Sequence, residues 1–271
     1  GTHFNEVKLG GGNEPGLRKG LAALESCDEP TILLFPDGVL LDSDELASLQ
    51  QAALTQCSKL QDRVCILDIH NGFKPRSRDE KDVVTVFRDG IGMNHLKYGA
   101  AYYPWIETTF SYPADASSLK DMNGNPLDRN QIGEGMNAIV DRIEKEPVVL
   151  PPSGAIAGIY AAVDSKRGVW KAPANVSLSS TRRPTVPIDN KEQKDLTVDT
   201  IAGKSINAIR AFPGKGTLVW GARTLAGNDN EWRYISVRRF FNMVEESLKK
   251  STAWAVFEPN NANLWTKLKA S

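Results

Sequence analysis

Three short runs dominated by apolar residues constrain the fold more than any other feature of the sequence: Thr31-Ile-Leu-Leu-Phe35, Val64-Cys-Ile-Leu-Asp-Ile69 and Ala100-Ala-Tyr-Tyr-Pro-Trp-Ile106. A strand with one face in water alternates polar and apolar side chains, whereas a strand that is apolar nearly throughout needs both faces covered. The segments between the runs supply the covers. Asp42, with Glu45 three residues on, predicts a capping box for a helix to about Leu60, with Leu46, Leu49, Ala53, Cys57 and Leu60 turned inward. Ser77 and Glu80 predict a second box, ahead of a helix buried through Val83, Val84 and Phe87. A shorter helix over Leu17–Leu24 precedes the first run, and the turn Pro36-Asp-Gly38 closes it. Strand, helix, strand, helix, strand in this order predicts a parallel sheet with helices on both faces, an α/β fold for the first part of the chain.

Beyond Ile106 the pattern changes. Ser111 to Arg129 is polar, contains Asn123-Gly-Asn-Pro126 and reads as an exposed loop. Asn130 is expected to cap a helix whose buried face is Ile132, Met136, Ile139, Val140 and Ile143. Pro151 to Gly168 reads as a helix with a Ser cap. Its small residues, Gly158 and Ala162 among them, predict close packing against another backbone. Asn175 to Thr200 reads as a polar loop. Ile206–Phe212 and Thr217–Trp220 read as strands joined by the turn Pro213-Gly-Lys-Gly216, and Gly221 to Glu231 as a surface loop. In the helix that follows, Val237, Phe240, Phe241, Val244 and Leu248 recur at steps of three, four and seven and predict the buried stripe. Arg238, Arg239, Glu245, Glu246, Lys249 and Lys250 fall off that stripe, so this charged side is expected to be free. Glu245 and Glu246 stand one turn ahead of Lys249 and Lys250, the favourable order. The two arginines oppose the macrodipole, which an acidic partner would offset; the alternative is a solvated face. Ala253-Trp-Ala-Val-Phe257 reads as a short buried strand ended by Pro259. The expected division is a lead-in over 1–16, an α/β domain over 17–175 and a smaller α+β domain over 176–271.

The 271 residues suffice for one large or two modest domains. Lys+Arg and Asp+Glu both number 33, so no basic excess points to nucleic acid. No stretch approaches the roughly 18 apolar residues of a membrane span. The three cysteines, Cys27, Cys57 and Cys65, are odd in number and form no Cys-x-x-Cys, which predicts neither a disulfide framework nor a zinc site and points to a reducing compartment such as bacterial cytoplasm. Gly1 in place of an initiator Met, and a chain that stops as a new helix begins, lead us to expect a fragment.

Sites at the carboxyl ends of a parallel sheet are the usual place for chemistry. The residues expected there are Asp37, Asp68, His70 and Glu107. Asp68, His70 and Glu107 could serve a hydrolase or hold a metal, but no Gly-x-Ser-x-Gly or His-Glu-x-x-His accompanies them. Gly10-Gly-Gly12 is followed by Pro15 rather than completing a dinucleotide fingerprint. Gly203-Lys-Ser205 and Gly214-Lys-Gly-Thr217 lack the first glycine of a Walker A loop, with Val198 and Ile209 in its place. No cofactor is expected.

Two longer blocks carry a resemblance. Residues 152–175, Pro-Ser-Gly-Ala-Ile-Ala-Gly-Ile-Tyr-Ala-Ala-Val-Asp-Ser-Lys-Arg-Gly-Val-Trp-Lys-Ala-Pro-Ala-Asn, resemble the central block of contractile tail sheath proteins. Arg238-Arg-Phe-Phe-Asn-Met-Val-Glu-Glu-Ser-Leu248, then Ala255-Val-Phe-Glu-Pro-Asn260 and a helix start at Leu264-Trp265, resemble the family's C-terminal domain. The similarity runs from Tyr98 onward. Family members continue past Ser271 and carry an N-terminal extension as well. The resemblance implies a structural subunit that stacks in rings around an inner tube and contracts to drive the tube through a cell envelope. Its implied partners are other sheath subunits, the inner tube protein, and baseplate and tail terminator proteins, with no nucleic acid and no membrane insertion. The charged side of the last long helix is the candidate subunit or tube interface. The rival readings are an enzyme using Asp68, His70 and Glu107, and a monomeric binding module.

Overall fold

The computed structural model of the protein describes residues 7–11, 14–77, 79–111, 120 and 133–270. Its first half follows the expected alternation: α1 (Leu17–Ala23), β1 (Ile32–Leu33), α2 (Ser43–Leu60), β2 (Val64–Asp68), α3 (Val83–Gly90) and β3 (Gly99–Tyr103). β1, β2 and β3 pair in parallel, with Ile32 opposite Val64 and Ile66 opposite Ala100. Successive residues serve opposite faces, as the pleat requires. Cys65, Leu67, Ala101 and Tyr103 join the core beneath α2 and α3, while Val64, Ile66, Ala100 and Tyr102 join a second core on the other face.

That second core is covered by α5 (Ser153–Arg167), through Ile156, Ile159, Tyr160 and Val163, and by the first residue of α7 (Ile235–Ser251). The same sheet continues into the later half of the chain. β8 (Ile206–Phe212) pairs in parallel with β3, and β9 (Gly216–Val219) and β6 (Val176–Ser177) extend it antiparallel. The sheet order is β1-β2-β3-β8-β9-β6. The expected boundary at residue 176 therefore crosses one sheet. The turn between β8 and β9 places Gly214 and Gly216 at φ +74, a conformation that suits glycine.

Several elements differ from expectation for identifiable reasons. The third strand stops at Tyr103. Pro104 has no N–H to give a ladder, and Trp105 turns away, donating its indole N–H to Ile69 O at 2.9 Å and its amide to Gly72 O at 3.1 Å. The chain then enters a separate three-stranded antiparallel sheet, β5 (Pro147–Leu150), β4 (Ile106–Ser111) and β7 (Thr181–Pro184), with β4 in the middle. α2 starts after Asp42, but no side-chain cap forms there. α3 is capped by Asp82, not by Ser77 and Glu80: the Asp82 carboxylate accepts the Thr85 amide at 3.2 Å and Arg76 Nε at 2.8 Å. In α4 (Glu134–Lys145) Val140 is buried, whereas Ile139 and Ile143 are exposed. Asn130, Ile132, the Met136 side chain and most of the loop expected over 111–129 lie outside the described residues. Within the polar stretch 175–200 the chain forms β6, β7 and α6 (Asn190–Thr197). A capping box opens α6, with Asp189 accepting the Glu192 amide at 2.7 Å. Ala253–Phe257 is no buried strand: Ala253–Ala255 is a 3-10 turn leading to α8 (Ala262–Ala270), and Phe257 is 98% exposed.

Candidate functional site

α7 inverts the expected packing. Its first two turns bury Arg238, Arg239 and Asn242, while Phe241 and Leu248 of the apolar stripe are exposed and Val237, Phe240 and Val244 are half-buried. Arg238, Arg239 and Asn242 are all paired. Arg239 forks onto Asp164 of α5, with Nη1 3.0 Å from Oδ1 and Nη2 bonded to Oδ2, and its guanidinium lies 4.7 Å from the Tyr160 ring. Arg238 stacks 4.2 Å over Trp232 and 5.1 Å from Tyr98, and donates to Asn242 Oδ1 at 2.7 Å and to Glu245 Oε2 at 2.9 Å. Asn242 in turn donates to Arg63 O at 3.2 Å. A planar guanidinium offers a fork for carboxylates and a face for rings, so it is accommodated inside where a point charge would not be. Arg238 and Arg239 are thus internal struts. The remaining interface candidates, Glu246, Lys249 and Lys250 with Glu245, lie on the outer half of α7, where Lys250 pairs with Glu246.

That outer half, the 3-10 turn and α8 bury no residue after Asn242. Leu248, Val256, Phe257 and Trp265 are all exposed along this arm.

A second apolar feature lies across α5. Gly154, Gly158 and Ala162 line one wall of a groove of about 710 Å3, facing Phe110, Leu150 and Leu178. A Cβ on Gly154 or Gly158 would meet nothing within 4 Å. The close backbone packing expected of this small-residue face is therefore absent within the described residues, because the neighbouring sheet stands off from it. Gly158→Ala should accordingly raise stability by about 0.5–1 kcal/mol, the ordinary helix gain, as read by chemical denaturation. A loss of stability would mean that the groove is closed in solution.

Asp68 and Glu107 of the enzyme reading have separate partners. Asp68, buried at the end of β2, accepts the Ser153 amide at 2.9 Å. Glu107 accepts Arg183 Nε at 2.8 Å across β4 and β7. Burial lowers the His70 pKa below its ordinary value. Among the described residues no group of three or more His, Cys, Asp or Glu is placed to hold a metal ion. No described helix is long and apolar enough to cross a membrane. Lys204 of the Gly-Lys-Ser triplet donates to Arg88 O and serves the fold.

Comparison with known proteins bears on the whole arrangement. The tail sheath protein of Enterobacteria phage T4 is 26% identical over 114 residues, 42% of this chain and 17% of that protein. The tail sheath protein of Vibrio phage KVP40 is 25% identical over 115 residues, 41% of this chain and 16% of its own. Among solved structures, a chain of the contracted anti-feeding prophage baseplate matches with a TM-score of 0.67 and 30% identity, covering 94% of this chain and 59% of that one. A chain of the PVC sheath complex, an extracellular contractile injection system in its contracted state, matches with a TM-score of 0.65 and 26% identity over 94% of this chain and 56% of that one. The chain thus spans about a sixth of the two phage relatives and a little over half of the solved chains. The family described as the phage tail sheath protein central domain matches residues 15–225, from α1 through β9 and short of α7. With most of its length matched and its fold shared with chains of contracted sheaths and baseplates, the chain belongs to the phage tail sheath protein family.

Proposed function

We propose that this chain is part of a contractile sheath subunit, which stacks in helical rings around an inner tube and contracts to drive that tube through a target envelope. The observation that carries the reading is the family match over residues 15–225, together with a fold that superposes on chains from contracted sheaths. Its partners are then neighbouring sheath subunits and the baseplate, and further the inner tube and tail terminator proteins. Its place is the tail sheath of a phage or phage-like particle, assembled in the host cytoplasm. The role is structural: contraction draws on free energy stored in a metastable packing at assembly, with small gains per contact multiplied over many copies.

Within that reading, the segment from α7 onward carries the candidate interface. Its outer arm, with Leu248, Val256, Phe257 and Trp265 between Glu245, Glu246, Lys249 and Lys250, forms the assembly surface toward another sheath subunit. Electron microscopy of particles made by a sheath gene carrying this sequence, co-expressed with its tube and baseplate proteins, tests the function. Hollow tubes in extended and contracted lengths are the expected result. Dispersed subunits beside naked tubes would overturn it.

A further inference from the structure

α5 turns a bare ridge outward. Gly154, Gly158, Ala162 and Lys166 follow one another at steps of four, so they share a face, and all four are exposed. Phe110, 58% exposed, and Leu150, 41% exposed, stand across the groove of about 710 Å3 from this ridge. Lys166, at the C-terminal end of the ridge, is the one charged residue among the described residues that line the groove. Its ammonium has no hydrogen-bond or ion-pair partner among the described residues.

The arm after α7 has the matching shape. Phe257 is 98% and Val256 70% exposed, and the next residue is Glu258, whose carboxylate is likewise without a partner among the described residues. The tip is held in place. The Glu258 amide donates to Ala255 O at 3.1 Å, and Trp265 of α8 donates its indole N–H to Asn260 Oδ1 at 2.7 Å. One chain thus exposes a fixed aromatic knob beside an anion and an apolar groove beside a cation.

We propose that the arm tip of one copy, Val256 to Glu258, inserts into the α5 groove of the next copy, with Phe257 over Gly158 and Ala162 and with Glu258 paired to Lys166. The spacing fits. The Cα atoms of Phe257 and Glu258 are about 3.8 Å apart, and one helical turn of about 5.4 Å separates Ala162 from Lys166, a difference within the reach of a lysine side chain. A Cβ at Gly154 or Gly158 meets nothing within 4 Å, so the ridge leaves room for a ring. Knob and groove are different patches, which makes the contact heterologous: each copy keeps a free knob or a free groove for another, and the contact repeats around a ring or along an open helix. The pairing rests on the sheath reading above and names the counterpart of the arm.

One such contact is too small to hold two free subunits together. Phe257 and Trp265 bury at most about 300–500 Å2 of arm between them, against about 800 Å2 per partner in a complex of standard size. The 271-residue chain alone is therefore expected to stay monomeric, and the contact to form where tube and baseplate already line the subunits up.

A carbodiimide, which joins a carboxylate to an amine only where the two touch, tests the contact on unaltered protein. Sheaths are assembled on tube and baseplate from a mixture of isotopically light and heavy subunits made by a full-length gene carrying this sequence. Mass spectrometry should find Lys166 joined to Glu258 in light–heavy pairs, in extended or contracted particles. Its absence from both lengths overturns the proposal, and so does a crosslink found only within one isotope, which places the arm in its own groove. Lys166→Glu and Glu258→Lys should each cut the yield of sheaths about tenfold or more, and the double variant should regain most of it. Single variants that assemble as the wild type does, or a double variant no better than the singles, would also overturn it. Gly158→Leu, which fills the groove, should leave the isolated chain folded and prevent sheath assembly; normal sheaths from it count against the contact. Naked tubes from the wild-type gene, by contrast, would strike the sheath reading itself and this contact with it.

Discussion

Arg239→Glu is expected to destabilise the isolated chain severely, with a fall in melting temperature of about 10 °C or more and partial unfolding at 37 °C. The guanidinium is 8% exposed and forks onto Asp164, which is 29% exposed. Removing one partner of a buried pair costs about 3–5 kcal/mol, and the partial exposure of Asp164 sets simple truncation near the lower end. Reversal adds a second carboxylate beside the first and removes the contact with the Tyr160 ring. Set against a total stability of about 5–15 kcal/mol, the loss is a large fraction. Each kcal/mol is worth about 2–4 °C in a chain of this size. Arg239→Lys should fall between wild type and Glu, since an ammonium cannot fork. Asp164→Arg combined with Arg239→Glu should recover part of the loss. Thermal melts by circular dichroism read all four proteins. An Arg239→Glu variant that melts with the wild type would return this residue to the solvent face that its place off the apolar stripe suggests.

The parallel half of the sheet was legible because burial on both faces leaves a signature that needs no context: β1 and β2 fall inside apolar runs, β3 starts one residue ahead of the third, and α2 falls where Leu46, Leu49, Ala53 and Cys57 repeat. The family, too, was legible, from the block at 152–175. The orientation of α7 was not. Periodicity reports that one stripe is apolar, not which neighbour it meets, and here Asp164, Tyr160, Tyr98 and Trp232 offer the arginines a better-matched interior than the stripe finds anywhere else in the described chain. The cost of Arg238 and Arg239 near a helix N-terminus did point to acidic partners; they are Glu245 for Arg238 and Asp164 for Arg239, both of the same chain. α6 had a readable signal in Asp189 and Glu192 at capping-box spacing, masked by the polar composition around it. Ala253–Phe257 had strand-like residues, but a strand requires an edge to pair with, and among the described residues none pairs with the arm. That β8 joins β3 is a long-range pairing, with Ala101 opposite Ile206, invisible to any local window.

Leu248→Ser together with Phe257→Ser is expected to leave the 271-residue chain as stable as the wild type while preventing sheath assembly. Leu248 is 58% and Phe257 98% exposed, so neither side chain holds this fold, and surface changes of this kind stay within about 0.5 kcal/mol each. A solvated role would make the pair silent in every assay. Their company argues otherwise: Val256 and Trp265 are exposed on the same arm, and α8 buries nothing. The few hot-spot anchors at the centre of an interface cost about 2 kcal/mol or more each when truncated. In a helical polymer every subunit pays that loss at every contact, so a modest change per interface converts into a failure to polymerise. Glu246→Lys or Lys249→Glu, by contrast, should slow assembly and make it more salt-dependent without abolishing it, because exposed charges chiefly govern encounter and register. Sedimentation and electron microscopy of the assembled particles, beside melts of the isolated chain, separate the two effects. Normal tubes from the Leu248→Ser, Phe257→Ser subunit would remove the arm from the assembly surface, and an early melt of the isolated chain would show that the arm folds back onto the core.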